Sequence, residues 1–292
     1  MSDMQPSALE LLSRPGIDVV AGGGSPLEAR LIEAAGFAAV YVSGYAVAAS
    51  IYGVPDIGIV GSGHNVANVA AIREVVSVPV IVDADTGYGD VVNVRDTIRR
   101  LERAGANAIQ IEDQAWPKKC GHMAGKKVIP QAEMLDKIHA ALDSRVSEST
   151  AIIARTDARG PLGIQEALDR AASYSEAGAD AILVDAPQSI DELRLVAALP
   201  GTQLANMSEG GLTPIISADE LGEIGFGIAL FPTTALRVGA LAMQLFLAEL
   251  RRTGDSRGHL DKMMTLDELN EVVGLSALGE FEDRVTRADV PV

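Results

Sequence analysis

The sequence predicts a single α/β domain over residues 1–292, built as a closed (β/α)8 barrel of the TIM type with a helical extension from about residue 253. Three observations predict this class. Strand-like and helix-like patterns alternate eight times within about 250 residues, the usual size of such a barrel. The connections between the patterns are short, and no segment rich in Pro, Ser or charge resembles a linker between domains.

One local pattern recurs along the chain and predicts half of the strands. A helical stretch ends at a glycine, a short apolar run follows, and a polar residue or proline ends the run. The pattern occurs four times, around Gly36, Gly105, Gly178 and Gly225. Glycine suits the left-handed backbone just past a helix C-terminus, and an apolar run without alternation is typical of a parallel strand buried on both faces.

Four further strands and eight helices complete the predicted barrel. The other strands cover residues 17–21, 78–83, 151–156 and 202–206. The helices cover residues 26–35, 66–76, 91–104, 131–145, 164–177, 190–199, 218–223 and 234–252. A doubly wound sheet is disfavoured because it usually has fewer strands, and segment 21–24 does not match the nucleotide-binding fingerprint that often follows its first strand.

Composition and charge exclude several kinds of partner. The chain has 24 Lys and Arg against 40 Asp and Glu, a net charge of −16, and this argues against binding to nucleic acid or to an anionic membrane surface. One Cys excludes an intramolecular disulfide framework and Cys-rich metal sites. No apolar run reaches the roughly 18 residues of a membrane helix, and the N-terminus lacks a secretory pattern. We therefore expect a cytoplasmic protein.

Polar residues stand where the predicted strands end. They are Ser43, Asp83, Asp85, Glu112, Asp113, Arg155, Asp157, Asp185, Asn206 and Glu209. In a barrel of this class the strand ends meet at the active-site mouth. Carboxylates gathered there repel one another, and a hard divalent cation such as Mg²⁺ removes that conflict. A single Asp could instead cap the next helix, but so many acids together with Arg155 favour a metal site.

The connection after the fourth strand, residues 114–130, is the longest in the predicted barrel. It contains the run Lys118-Lys119-Cys120-Gly121-His122, followed by a second basic pair at residues 126–127. Long loops on a compact barrel are often lids. Cationic neighbours make a thiol a better proton donor or nucleophile. The alternative interpretation is an ordinary solvated loop with a basic surface.

Five segments in order resemble the isocitrate lyase / phosphoenolpyruvate mutase superfamily, within it the methylisocitrate lyase and 2-alkylmalate lyase branch. They are residues 82–85, 111–114, 118–122, 154–158 and 206–211, and a further match covers residues 55–58. The resemblance extends from about residue 36 to 264. The Lys-Lys-Cys-Gly-His run is its most specific piece, because it is typical of members that break a carbon–carbon bond, although some phosphonomutases carry it too.

The resemblance implies roles for individual residues. It implies Mg²⁺, with Mn²⁺ as the alternative, held by Asp56, Asp83, Asp85 and Glu112. It implies substrate contacts from Ser43, Gly44, Tyr45, Gly121, Arg155, Asp185, Asn206, Ser208 and Arg237. It implies catalytic roles for Cys120, Lys118, His122, Arg155 and Tyr41. Cys120 would be the acid that protonates a carbanion, whereas the base could be Tyr41 or Asp56 acting through water.

The implied reaction is cleavage of a 2-hydroxy dicarboxylate of the 2-alkylmalate type into a 2-oxo acid and a carboxylate. The implied assembly is a homodimer or homotetramer that exchanges its eighth helix. Three departures from the family pattern, Tyr45, Asp185 and Leu266, disfavour a tricarboxylate substrate.

The alternatives are 2-methylisocitrate lyase, which forms pyruvate and succinate and is favoured by Arg237, and carboxyphosphonoenolpyruvate phosphonomutase. A Schiff-base aldolase needs a strand-end Lys, which the predicted strands lack. A purely binding role is disfavoured by the assembled metal and lid residues.

Overall fold

The computed structural model describes residues 7–121 and 125–287. By its internal contacts the chain divides into two compact units, Met1–Leu236 and Arg237–Val292. Within the described ranges, no helix combines the length and the apolar character needed to cross a lipid bilayer.

The first unit is a closed barrel of parallel strands. In the described residues these are β1 (Asp18–Gly23), β2 (Val40–Val42), β3 (Val80–Asp83), β4 (Ala108–Glu112), β5 (Ala151–Thr156), β6 (Ala181–Val184), β7 (Thr202–Asn206) and β8 (Ile228–Phe231). Each strand pairs with the next in the sequence, and β8 pairs with β1 in the register Ala21 opposite Phe231. The predicted (β/α)8 barrel is thereby confirmed.

Helices precede, separate and follow the strands along the chain. They are α1 (Ala8–Ser13), α2 (Pro26–Ala34), α3 (Gly44–Ala46, continued by a π-helical turn, Val47–Ile51), α4 (Ser62–Arg73), α5 (Val91–Arg103), α6 (Gln131–Ser144), α7 (Arg159–Leu162), α8 (Ile164–Glu176), α9 (Ile190–Ala197), α10 (Ala218–Ile224) and α11 (Thr234–Thr253). A 3₁₀ turn (Arg257–Lys262), α12 (Leu266–Val272) and α13 (Leu275–Arg287) follow. All eight predicted helices are present, with ends shifted by up to four residues.

Local signals in the sequence explain several boundaries. α2 begins after Ser25, whose hydroxyl accepts from the N–H of Glu28 while the Glu28 carboxylate accepts from the N–H of Ser25. Pro26 occupies the first helical position, where its missing N–H costs nothing. Gly225 ends α10 with a φ of 118°, a conformation that side chains with a Cβ disfavour.

Alternation along each strand places the functional side chains. In β4, Ile109 and Ile111 pack in the apolar layer between the barrel and its helices, so Gln110 and Glu112 point into the barrel. In β5, Arg155 has the same parity as Ile153, which belongs to the interior cluster. Polar residues at the last inward position of a strand therefore reach the barrel mouth.

The opposite end of the barrel is closed by α1. Its Leu11 and Leu12 are buried and belong to the same cluster as the interior side chains Ile81 and Leu204. The Thr202 hydroxyl, at the start of β7, donates to the carbonyl of Leu12 at 2.5 Å. The pocket that remains lies at the carboxyl ends of the strands, as in other barrels of this class.

Candidate active site

The carboxyl ends of the strands surround a pocket of about 490 Å³, open mouth included. Twelve of the predicted site residues line it: Tyr41, Ser43, Tyr45, Asp56, Asp83, Glu112, Lys118, Cys120, Gly121, Arg155, Asn206 and Ser208. The remaining lining residues, for which the sequence predicts no role in the site, are Lys119, Leu183, Leu230, Pro232 and Thr233.

Five predicted residues are not among those that line the pocket. Gly44 and Asp85 lie immediately beside its acidic wall, and Asp185 is fully buried behind Asn206. His122 lies outside the described residues. Arg237 begins the second compact unit. The roles predicted for these last two residues stay predictions.

Asp83 and Asp85 form a tight turn at the end of β3. The N–H of Asp85 donates to Asp83 Oδ1 at 3.1 Å, and the N–H of Glu112 donates to the carbonyl of Asp85 at 2.8 Å. Asp85 has a φ of 50°, a conformation that is costly for a residue with a Cβ and is common at functional sites. A Cβ on Gly44 would lie 3.2 Å from both carboxylates, so the backbone after β2 closely approaches the pair.

The ammonium group of Lys118 lies inside this acidic cluster. Its Nζ is 2.5 Å from Asp56 Oδ1 and 2.8 Å from Asp85 Oδ1, and its side chain is only 4% exposed. Burial by itself lowers the pKa of Lys118, but the carboxylates of Asp85 and Glu112 outweigh it and raise the pKa well above the usual value. Lys118 therefore stays charged and joins the loop after β4 to the connection between α3 and α4 and to the turn after β3.

The acids of the cluster hold their protons unusually well. Burial raises the pKa of Asp85 to about 7, with a further contribution from Asp83 that Lys118 opposes. Burial also raises the pKa of Glu112 well above its usual value, although Arg155 acts in the opposite direction. Both carboxyl groups lack enough positive charge nearby to ionise as easily as they would in water.

The donor set fits a hard divalent cation. Among the described residues, buried Glu112 Oε1 has no hydrogen-bond partner, and Asp85 Oδ1 has only its ion pair with Lys118. No three His, Cys, Asp or Glu side chains within residues 7–121 and 125–287 already form a complete ligand group. Mg²⁺ requires no such group, because it binds one or two carboxylates directly and keeps several waters that other carboxylates hold.

Arg155 provides positive charge on the other wall of the pocket. Its Nε and a terminal nitrogen donate to the two carboxylate oxygens of Asp157 at 2.9 and 3.0 Å. Its guanidinium also lies 3.3 Å from both Glu112 and Asp185. Burial lowers the pKa of Arg155, but Asp157 and Asp185 more than compensate and raise it well above the usual value. A fixed, charged guanidinium at this position suits a substrate carboxylate.

Asn206 adds amide groups beside Arg155. Its Nδ2 donates to Asp185 Oδ1 at 2.9 Å, and this fixes the orientation of the amide. Asn206 Oδ1 is buried and has no hydrogen-bond partner among the described residues. An unpaired buried amide oxygen is costly, so this atom is available to a hydroxyl or another donor of a bound molecule.

The end of β2 contributes Tyr41, Ser43 and Tyr45. Ser43 Oγ accepts from the N–H of Ala46 at 3.3 Å and thus caps the short helix α3. Tyr45 is 39% exposed at the mouth. Burial, and secondarily the charge of Asp83, raises the pKa of Tyr41 well above its usual value. Tyr41 is therefore a neutral hydrogen-bonding group.

The loop after β4 brings Cys120 and Gly121 to the pocket. The side chain of Gln114 fixes the loop, because it accepts from the N–H of Lys119 at 3.0 Å and donates to its carbonyl at 2.8 Å. A Cβ at Gly121 would lie 2.3 Å from both Arg155 and Asp185, so only glycine lets the loop lie against this pair. The half-buried Cys120 thereby lines the same pocket as Arg155.

Asp113 organises the site from behind. Its carboxylate accepts from the hydroxyls of Thr156 and Tyr174 at 2.7 and 2.9 Å, from the N–H of Asp157 at 2.8 Å and from Arg170 at 3.1 Å. Sequence reasoning places Asp113 at a strand end without a role. Its neighbours come from β5 and α8, and no local pattern joins those elements to β4.

Comparison with known proteins finds relatives over most of the chain. The family model described as phosphoenolpyruvate phosphomutase matches residues 25–251. A 2,3-dimethylmalate lyase of Eubacterium barkeri is 44% identical over 274 residues, covering 94% of this chain and 95% of the relative. A 2-methylisocitrate lyase of Aeropyrum pernix is 43% identical over 279 residues, covering 95% and 90%. A crystal structure of 2,3-dimethylmalate lyase superposes with a TM-score of 0.89 at 37% identity, covering 95% and 93%.

A closed parallel barrel with its pocket at the carboxyl ends of the strands defines an enzyme of the (β/α)8 class. The chain belongs to the phosphoenolpyruvate mutase / isocitrate lyase superfamily, and the resemblance inferred from its motifs is confirmed. It is a carbon–carbon lyase of that superfamily.

Proposed function

We propose that this lyase uses Mg²⁺ to cleave a 2-alkylmalate, or a closely related 2-hydroxy dicarboxylate, into a 2-oxo acid and a carboxylate. The observation that carries the proposal is one pocket lined by a fixed cation, Arg155, by the acids Asp83 and Glu112, and by a thiol, Cys120. The 2,3-dimethylmalate lyase at 44% identity supports this choice of substrate class.

The residues of the pocket have different roles toward such a substrate. Arg155 binds one carboxylate, and the capped Ser43 turn faces another from the opposite side of the barrel mouth. The unpaired Oδ1 of Asn206 is an acceptor for the substrate hydroxyl. Held among Asp56, Asp83, Asp85 and Glu112, Mg²⁺ would acidify that hydroxyl and neutralise the adjoining carboxylate, and Mn²⁺ is the alternative cation.

Loss of the hydroxyl proton starts the cleavage. Tyr41 is a poor base because burial keeps its phenol protonated, so we assign the base to Asp56 acting through water. The electron pair of the O–H bond forms the C=O of the 2-oxo acid, and the bond from the hydroxyl carbon to its neighbour breaks. The second product leaves as an enediolate whose negative charge Arg155 stabilises.

Protonation of the enediolate carbon completes the reaction. We assign this step to the thiol of Cys120, which lines the pocket beside Lys118 and Lys119. The S–H proton moves to carbon and leaves a thiolate that the neighbouring ammonium groups stabilise. A positioned acid is needed because the enediolate is a strong carbon base, and water must be excluded from the site until the carbon is protonated.

A substrate panel tests the proposal. Purified enzyme with Mg²⁺ is incubated with 2-alkylmalates, malate, citrate and 2-methylisocitrate, and release of the 2-oxo acid is followed with a coupled dehydrogenase. We expect the highest kcat/KM with a 2-alkylmalate, complete loss of activity in EDTA and recovery with Mg²⁺. Full activity after EDTA treatment and dialysis would remove the metal from the proposal.

Cleavage of 2-methylisocitrate is the second candidate, because a lyase of that name is 43% identical. By its resemblance to the family, Leu266 stands where the methylisocitrate branch carries an Arg for the third carboxylate; it begins α12 and is 74% exposed. An apolar residue leaves that carboxylate unpaired. We therefore expect a kcat/KM for 2-methylisocitrate at least tenfold below that for 2-alkylmalates. The reverse order would assign the third carboxylate to Arg237 or another cation.

A phosphonomutase is the third candidate, since the matching family model bears the name of such an enzyme. It would form a carbon–phosphorus bond and release no 2-oxo acid from a malate. Phosphorus NMR of a reaction with carboxyphosphonoenolpyruvate separates the two activities, and we expect no phosphinate or phosphonate product. We further propose that the enzyme works in the cytoplasm as a homodimer or homotetramer.

A further inference from the structure

A second lysine of the loop after β4 ends in a buried cluster behind Arg155. Lys126 Nζ donates to Asp157 Oδ1 at 2.7 Å and to Asp185 Oδ2 at 3.1 Å. These are the same two carboxylates that the Arg155 guanidinium contacts. The two carboxylates are fully buried, and the side chains of Lys126 and Arg155 are 4% and 9% exposed.

Lys126 and Arg155 share two carboxylates in this cluster, and Arg155 also lies 3.3 Å from Glu112. Arg155 lines the pocket, whereas Lys126 is not one of the described residues that line it. With Lys126 in place, two cations together balance the two shared carboxylates. Without Lys126, the Arg155 guanidinium would have to balance more of the negative charge of both buried acids, and this would weaken its attraction for a substrate carboxylate.

Lys126 also fixes the far end of the loop that carries Cys120. The N–H of Ala115 donates to the carbonyl of Lys127 at 2.8 Å, and the N–H of Ile129 donates to the carbonyl of Asp113 at 2.9 Å. These two bonds close the loop at its base. The buried ammonium is thus a side-chain attachment of the loop to the ends of β5 and β6.

We propose that Lys126 is a positioning residue, which directs Arg155 toward a substrate carboxylate by balancing Asp157 and Asp185 and which fixes the catalytic loop to that pair. The inference rests on the proposed function in one respect, the use of Arg155 to bind a carboxylate. Lys126 itself touches no reacting atom. It acts through the two carboxylates and through the backbone of its loop.

Three variants test the proposal. Lys126→Met keeps the aliphatic stem and removes the charge. Lys127→Met is the matched control, because Lys127 is the next residue of the same loop and its side chain is exposed. The double variant Lys126→Met, Asp157→Asn removes one carboxylate together with the ammonium and so restores the charge balance. It therefore still tests the proposal if the single variant folds poorly.

Two measurements that need no turnover are made on each purified enzyme. The first is the affinity for oxalate in the presence of Mg²⁺ by calorimetry, since oxalate is a planar dianion like the enediolate. The second is the hydrogen-exchange rate of the Ala115 and Ile129 amides without ligand. We expect Lys126→Met to bind oxalate at least tenfold more weakly and to exchange both amides at least tenfold faster, whereas Lys127→Met matches the wild type.

The double variant separates positioning from simple support of the fold. We expect its oxalate affinity to return to within about threefold of the wild type, while both amides still exchange fast. Failure to recover affinity would overturn the charge-balancing role, and Lys126→Met behaving like Lys127→Met in both measurements would overturn the whole inference. If the wild type does not bind oxalate, the proposed function is wrong, and amide exchange alone decides the role of Lys126.

Discussion

At the scale of single residues, Asp85 makes the proposed metal site sensitive to pH. Burial raises its pKa to about 7, and Asp83 adds to this effect. Only the ionised carboxylate binds a cation, so protons compete with the metal below that pH. We expect Mg²⁺ affinity to fall by up to about tenfold per pH unit below 7 and to level off above it. Calorimetric titrations between pH 5.5 and 8.5 measure this.

Two variants complete the test at Asp85. Asp85→Asn keeps the shape but has no proton to lose, so its weaker affinity should depend less on pH. Asp85→Ala should abolish turnover. A pH profile that is the same in wild type and Asp85→Asn would mean that another group, such as Glu112, controls the competition.

Cys120 supports a prediction about proton transfer. If its thiol protonates the enediolate, Cys120→Ser should lower kcat by roughly 10²–10⁴-fold, the usual contribution of a positioned general acid. Mg²⁺ affinity should not change, because Cys120 is not among the carboxylate donors. Alkylation of the wild type by a small thiol reagent should slow when Mg²⁺ and pyruvate are present. Near-normal turnover in Cys120→Ser would contradict the acid role and weaken the lyase proposal.

The sequence predicts the residues of the pocket better than the residues behind it. Arg155 and Glu112 are predictable because a polar residue at the last inward position of an apolar strand faces the barrel mouth. Asp157 and Lys126 are visible as residues of two motifs, but their ion pair joins positions 31 residues apart. That contact depends on how the loop after β4 folds back, which no local periodicity encodes.

At the scale of elements, Glu102 in α5 fixes the connection between α6 and β5. Its carboxylate accepts from the N–H groups of Val146 and Ser147, both at 2.7 Å, and from the hydroxyl of Thr150 at 2.8 Å. Burial acts to raise the pKa of Glu102, but these hydrogen bonds outweigh it and lower the pKa below the usual 4.5. One ionised side chain thus holds a turn that has no regular structure.

We expect Glu102→Gln to lower the free energy of unfolding by about 1 kcal/mol at pH 7, a value reduced for solvent screening. Because the folded pKa is depressed, this contribution is present above pH 4.5 and is lost as the pH falls through the folded pKa. Urea denaturation at pH 7 and pH 4 should therefore show the difference shrinking. Glu148→Gln, at an exposed position of the same turn, is the control and should match the wild type at both pH values.

The repeated strand–helix pattern predicts the elements well, because burial on both faces requires continuous apolar runs. β2 is shorter than its run suggests, since the chain turns into α3 directly after Ser43. The sequence does not predict α1, which has only six residues and is too short for a helical period to stand out. Its capping box at Ser7 and Glu10 is the signal that could have identified it.

At the scale of the whole molecule, the second compact unit presents a large apolar surface. Within the described residues α11 buries no side chain, and five of its apolar residues are more than half exposed: Val238, Leu241, Met243, Leu245 and Leu247. α12 and α13 add Leu266, Leu269, Val273, Leu275, Leu278, Phe281 and Val285. Helices that are apolar on several sides are normally buried by a partner.

In the proposed homodimer or homotetramer, a second copy of the chain would cover this surface, and the apolar contact would have to outweigh the repulsion between copies that each carry a net charge of −16. Val238, Leu241 and Leu245 share one face of α11 by their spacing.

We expect the wild type to elute at a multiple of 30.5 kDa in size-exclusion chromatography with light scattering. Leu241→Asp combined with Leu245→Asp should shift the mass toward 30.5 kDa, since a carboxylate buried in an apolar interface costs several kcal/mol. Arg251→Asp, which makes the same change of −2 in charge at an exposed position on another side of the same helix, is the control and should keep the oligomer. A wild type that is monomeric at micromolar concentration, or a double variant with the wild-type mass, would contradict assembly through α11.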